Sequence, residues 1–156
     1  MITLQDYWMG RDTQYAAELT PDIVQNALLL TQRITVLLEH AAAENISPGI
    51  DEATCTCVAS GWRPKSVNEK TANASATSLH LNGMGIDLRE APGRALARFC
   101  LRNLDLLAKL ELWMEDPRWT PTWVHLQSRA PGSNDRVFIP SSAPPLVAAL
   151  PEQMLA

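Results

Sequence analysis

The sequence predicts an α+β fold, a small antiparallel sheet packed against two main helices. Two observations carry that prediction. Apolar residues recur at helical spacing over two long stretches, 21–44 and 92–110. Between and beyond them lie short runs rich in β-branched and aromatic residues, each stopped by Gly, Pro or Asn. At 156 residues the chain suits one domain better than two. It reads as a single domain over 1–156, with its core at about 20–140 and a peripheral tail at 141–156.

In order, Leu4–Met9 is expected to form one short helical turn on the body. Thr20-Pro21-Asp22 is a helix start: a capping hydroxyl, a proline at the first helical position and an acid in the first turn. Ile23, Ala27, Leu30, Ile34, Leu37, Leu38 and Ala41 then mark one face of a long helix, and His40 is a surface or capping residue at its end. Asn45-Ile-Ser-Pro-Gly49 ends it. Glu52–Ser60 reads as a strand halted by Gly61, which places Arg63 at a strand's end, where a cleft wall would be. Residues 65–77 are polar and small, a loop with a helical turn and a plausible groove rim. Ile86-Asp87-Leu88 is a short strand, and Leu96, Phe99, Cys100, Leu104, Leu107 and Leu110 face one side of a helix over 92–110. Leu112–Asp116 and Trp123–Gln127 are further strands, and Val137–Ile139 is expected to be the hairpin partner of the latter.

Composition narrows the function classes. A 46% hydrophobic and 19% charged chain has the makings of a packed core. The formal net charge of −4 gives no electrostatic reason for nucleic acid or an anionic membrane as partner. No apolar run approaches a membrane span of ~18 residues. Residues 1–6 show no secretory signal, so a protein working outside the cytoplasm would have to be released or carried there. An odd cysteine count (Cys55, Cys57, Cys100) argues against a disulfide framework. The alternation of Cys55-Thr-Cys57 points both thiols to one face, into the core. A monomer is expected.

The stretch Ser78-Leu-His80-Leu-Asn-Gly83-Met-Gly85-Ile-Asp87 holds an imidazole and a carboxylate around two glycines. A second imidazole, His125, stands between Val124 and Leu126 in an apolar run. A carboxylate within Gly-Ile-Asp-Leu and a histidine in mid-strand are costly to bury unless each finds a partner. A metal ion satisfies all three. Two nitrogens and one oxygen are the ligand set of an open catalytic zinc site.

Ser60-Gly-Trp-Arg-Pro64, then Ser78-x-His80-x-x-Gly83-x-Gly85-x-Asp87, then Trp123-Val-His125 resembles the M15 group of zinc peptidases. These are the D-alanyl-D-alanine carboxypeptidases and dipeptidases, and the phage and bacterial L-alanyl-D-glutamate endopeptidases of peptidoglycan. The resemblance covers roughly residues 20–140. It implies His80, Asp87 and His125 as Zn2+ ligands, and Arg63 as the residue that holds substrate and developing oxyanion. It implies hydrolysis of an amide bond in the peptidoglycan stem peptide by metal-activated water. The short chain is more similar to phage-encoded members, which act at lysis or from the particle.

One position departs from the pattern. Many members carry an acid three residues before the last histidine, where this chain has Thr122. The nearest acids are Glu115 and Asp116, and strand alternation lets only one of them face the site. Glu115 is favoured as the general base. Asp116, directly before Pro117, is the alternative, better suited to opening a turn. Ser78 could bind a substrate carboxylate or orient His80, and Gln127, on the strand face of His125, could contact peptide or support the ligands. The alternative to an enzyme is a zinc-stabilised cell-wall-binding or virion module that has kept the metal and lost the chemistry.

Overall fold

The computed structural model describes residues 1–72 and 74–140, and the expected tail at 141–156 lies outside the described residues. The chain forms an α+β fold around a five-stranded sheet. The strands are β1 (Val58–Ser60), β2 (Gly85–Arg89), β3 (Trp113–Glu115), β4 (Trp123–Gln127) and β5 (Val137–Phe138). Their spatial order is β1-β2-β4-β3-β5.

Strand alternation divides this sheet into an oily face and a polar one. Val58, Ile86, Leu88, Met114, Val124 and Leu126 are fully buried in one apolar core. The longest helix, α3 (Pro21–Ala43), supplies the opposing layer with Ala27, Leu30, Ile34, Leu37 and Ala41. Its start follows the sequence signal: Thr20 Oγ1 accepts from the Ile23 N–H at 3.3 Å, and Pro21 occupies the first turn. His40 is exposed in its last turn.

Two short helices, α1 (Leu4–Trp8) and α2 (Arg11–Gln14), precede it. Thr3 and Asp6 cap α1 reciprocally. Tyr7 and Trp8 are buried beneath α1; the Tyr7 hydroxyl donates to the Gly85 carbonyl at 2.9 Å, and Trp8 packs edge-on against Trp62. The N-terminal segment is therefore tied to the start of β2. Beyond β1 comes α4 (Lys65–Lys70), the helical turn expected within 65–77.

Five expectations need correction. The predicted helix over 92–110 is two, α5 (Ala95–Arg102) and α6 (Leu104–Lys109), broken at Asn103. The Asn103 side-chain amide donates to the Phe99 carbonyl at 2.9 Å, sharing that acceptor with its own backbone N–H, and the backbone of Asn103 leaves the helical region (φ −117°, ψ 46°). The predicted strand 52–60 shrinks to Val58–Ser60, because Asp51 gathers a tight turn. Its side chain accepts from the N–H groups of Ala53 and Thr54, and Cys55 takes a left-handed φ of +55°. Cys55 is consequently exposed while Cys57 is buried, so the two thiols do not share a face.

The fourth and fifth corrections concern the sheet. Val137–Phe138 does not form a hairpin with β4; it runs parallel to β3, pairing Met114 with Val137 and Glu115 with Phe138. Both edges of β4 are already taken, by β2 on one side and β3 on the other. The sheet edges left to a returning strand are those of β1 and β3, and β5 takes that of β3. The sheet is therefore mixed, antiparallel everywhere except at β3–β5.

Leu30 is fully buried at the helix–sheet interface. Leu30→Ala is expected to lower unfolding free energy by about 2–5 kcal/mol through lost burial and a residual cavity, as measured by chemical denaturation.

Candidate metal centre

The register that buries the apolar strand positions sends their neighbours to the other face. β2 and β4 pair Asp87 directly with His125, as Ile86 pairs with Leu126 and Leu88 with Val124. β3 and β4 pair Met114 with Leu126, so continuing that register by one position sets Glu115 opposite His125. Asp87, His125 and Glu115 thus stand side by side on three neighbouring strands, facing away from the core.

His80 reaches the same place from outside the sheet. It lies in a 3-10 turn, Leu79–Asn82, capped by the Ser78 hydroxyl, which accepts from the His80 N–H at 3.4 Å. Gly83 ends the turn in a left-handed conformation (φ +73°), and a Cβ there would sit 2.6 Å from the Ile23 carbonyl oxygen. The turn is pressed onto α3 with room for glycine only.

The His80 ring is fixed by its far nitrogen. Nδ1 lies 2.7 Å from the Gly61 carbonyl oxygen, which can only accept, so Nδ1 carries the proton and Nε2 presents a lone pair. That Nε2 is buried without a hydrogen-bond partner and lies 3.4 Å from Asp87 Oδ1. His125 Nδ1 lies 2.7 Å from the same oxygen. One donor atom from each of His80, Asp87 and His125 falls within 4.8 Å of the other two.

These residues fit a metal ion. The donor set is two imidazole nitrogens and a carboxylate oxygen. An imidazole lone pair, buried and unpartnered, points into the cluster, and a backbone carbonyl orients that ring from behind.

The electrostatics of the metal-free cluster agree. Burial favours the neutral form of Asp87, yet the two histidine rings, by charge and hydrogen bonding, hold its pKa well below the usual carboxylate range. Burial pushes His80 down, against the pull of Asp87, so it is a neutral ligand. His125 goes the other way: burial disfavours its charge, but the bond and charge of Asp87, with help from Glu115 and Gln127, raise its pKa.

The cluster forms part of the wall of an open groove of about 1560 Å³. Glu115, Arg63, Ser78 and Gln127 line it too. Burial raises the Glu115 carboxyl, with His125 acting against the rise and Asp87 adding to it. Asp116 is absent from the lining; its carboxylate grips Arg118 at 2.6–3.1 Å and accepts the Arg118 backbone N–H at 3.0 Å, closing the turn after β3. Thr122 is exposed and lies outside the groove lining. Ser78 Oγ links two site residues, accepting from Arg63 Nη2 at 3.2 Å as well as from the His80 amide. Gln127 Nε2 donates to the Arg129 carbonyl at 2.6 Å.

Sequence reasoning missed Arg11, Trp119, Trp123 and Arg129, which also line the groove. Arg11 comes from the N-terminal segment, 52 positions before Arg63 in the numbering, and no local pattern marks it. The tryptophans belong to the turn after β3 and the first position of β4, where the aromatic residues of a strand read equally well as core.

In comparisons with known proteins, no family model matches the chain, and no curated protein and no solved structure matches it.

Two outcomes test the centre. The metal-free protein should take up about one divalent ion per chain, and His80→Ala should weaken uptake at least tenfold in a chelator competition, as loss of a ligand does. Asp87 is already ionised and His80 neutral near pH 7, so the proton on His125 is the one a metal must displace. Affinity should therefore fall as pH drops through the raised pKa of His125, by about tenfold per unit below it.

Proposed function

We propose that this chain is a zinc-dependent hydrolase that cleaves an amide bond in the peptidoglycan stem peptide. One observation carries the reading: a metal-competent His80–Asp87–His125 cluster shares a groove with a half-buried carboxylate, Glu115, opposite one of its ligands. A purely structural zinc site is closed by four protein ligands. Among the described residues this cluster has three, and it opens onto a groove able to admit a peptide. The resemblance of the Arg63, His80, Asp87 and His125 motifs to the M15 zinc peptidases supplies the substrate class.

His80 Nε2, Asp87 and His125 Nδ1 would hold the ion, which is zinc on the strength of its nitrogen-rich ligand set. Bound there, zinc supplies Lewis acidity, lowering the pKa of water to about 7 and polarising a carbonyl. Glu115 takes a proton from the attacking water as the C–O bond forms, and returns it to the nitrogen as the C–N bond breaks. Its raised pKa suits a group that must both accept and give that proton near neutrality. Arg63 faces the groove with its charge undiminished by any ion pair closer than 4.0 Å among the described residues, and it steadies the carbonyl oxygen as negative charge develops. The Ser78 hydroxyl holds Arg63 and the His80 turn in one arrangement.

Glu115→Gln preserves shape while removing the base. The variant should keep its zinc, measured by elemental analysis, and lose at least a hundredfold in turnover on purified peptidoglycan, while Asp116→Asn loses little. Full activity in Glu115→Gln would exclude Glu115 as the base. Sedimentation of the wild-type protein with cell walls, with no release of peptide fragments, would favour the zinc-stabilised binding module instead.

A further inference from the structure

Three arginines line the groove, Arg11, Arg63 and Arg129, and none has a carboxylate within ion-pair distance among the described residues. Arg11 spends one donor, Nη1, on the Trp62 carbonyl at 2.7 Å. Arg63 spends one, Nη2, on Ser78 Oγ, and its Nε is buried with no partner. A guanidinium carries more donors than this, set in a fork that matches a carboxylate.

Arg11 and Arg63 share one stretch of wall. The carbonyl that anchors Arg11 belongs to the peptide unit leading into Arg63, and the Arg63 N–H in turn donates to the His80 carbonyl at 3.1 Å. The N-terminal segment is held there deliberately. The Trp62 N–H donates to the Tyr7 carbonyl at 3.3 Å, and Met9 and Gly10 both take left-handed conformations (φ +56° and +76°) to turn the chain into α2. A left-handed methionine persists only where its surroundings over-determine it.

Two partly desolvated cations on one wall repel each other, and the charge of Arg11 disfavours that of Arg63. The carboxylate whose charge favours that of Arg63, Asp87, is committed to the rings of His80 and His125. The wall therefore lacks an anion that a ligand could supply.

We propose that Arg11 and the free edge of Arg63 form a subsite for a carboxylate of the substrate, beside the metal cluster, and that Arg11 is a specificity-determining residue. This rests on the hydrolase reading above and narrows it: the preferred substrate is a peptide with a free carboxylate close to the scissile bond. A C-terminal carboxylate and the carboxylate of a glutamyl residue share this chemistry.

The zinc-loaded, full-length Glu115→Gln protein allows binding to be read without turnover. Its affinity is measured by calorimetry for three peptides: alanyl-glutamyl-lysyl-alanine, the same peptide as its C-terminal amide, and its glutamine form. Adding Arg11→Gln should weaken the parent peptide about tenfold. Whichever peptide lacks the recognised carboxylate should already bind about tenfold more weakly, and Arg11→Gln should cost it nothing more. That pattern also names the carboxylate used. Arg11→Lys should recover part of the loss, and zinc content and melting temperature should be unchanged in both Arg11 variants. Equal weakening of all three peptides, or no weakening, overturns the subsite while leaving cleavage by the wild-type protein intact. Failure of the wild-type protein to cleave any stem peptide overturns the hydrolase reading, and the subsite with it.

Discussion

The pairing of β2 with β4 is the constraint on which the rest of the molecule depends. One register buries Ile86, Leu88, Val124 and Leu126 against α3 and simultaneously sets Asp87 beside His125 on the opposite face. A slip of one residue would turn the two apolar side chains of one strand to water and its Asp87 or His125 into the core. At about 25 cal/mol per Å² of apolar surface, burial of those four residues outweighs any preference the polar pair could express. The core thus fixes the site. The carboxylate and the imidazole meet because the oily residues between them must all point the other way.

What the sheet builds, the His80 turn completes under tension. A neutral imidazole with a buried, unpartnered nitrogen costs desolvation free energy that the rest of the fold must offset. Its ring cannot rotate away, since the Gly61 carbonyl holds the opposite nitrogen and Gly61 is itself locked: a Cβ there would lie 1.8 Å from the Tyr7 carbonyl oxygen. An orphaned lone pair held this firmly is the signature of a ligand waiting in its binding geometry. His125 carries the complementary tension. Its proton and the Asp87 charge satisfy each other without metal, so a metal ion arriving at this site exchanges one cation for another rather than neutralising a bare carboxylate.

Much of this was legible in the sequence because it is local. Thr20-Pro21 marks the start of α3, the period of its apolar residues marks its buried face, and a polar residue inside an apolar strand marks Asp87 and His125 as needing partners. The errors came where pairing is decided at a distance. Nothing within Val137–Ile139 reveals that both edges of β4 are occupied, so the neighbour in sequence is not the neighbour in space. Asn103 and Asp51 each redirect the backbone through side-chain hydrogen bonds, which propensity sums average away. The choice between Glu115 and Asp116 rested on alternation and on the proline after Asp116, both local features. In the structure Glu115 faces the groove and Asp116 grips Arg118.

The N-terminal segment shows the same limit from the other side. Residues 1–19 have no apolar period, yet Tyr7 is fully buried and its hydroxyl reaches Gly85, two positions from Asp87. Its backbone carbonyl accepts from Trp62, and Gly61 has no side chain because that carbonyl occupies the space. The segment is therefore a wall of the site as much as a decoration on the core. Through Gly61 it fixes the tautomer of His80, and through Trp62 it carries Arg11 to the groove. A ligand set made by strand register and a groove wall made by an irregular N-terminus are thus joined at residues 61–63. That junction lets one short glycine-containing turn control both the His80–Asp87–His125 cluster and the charge beside it.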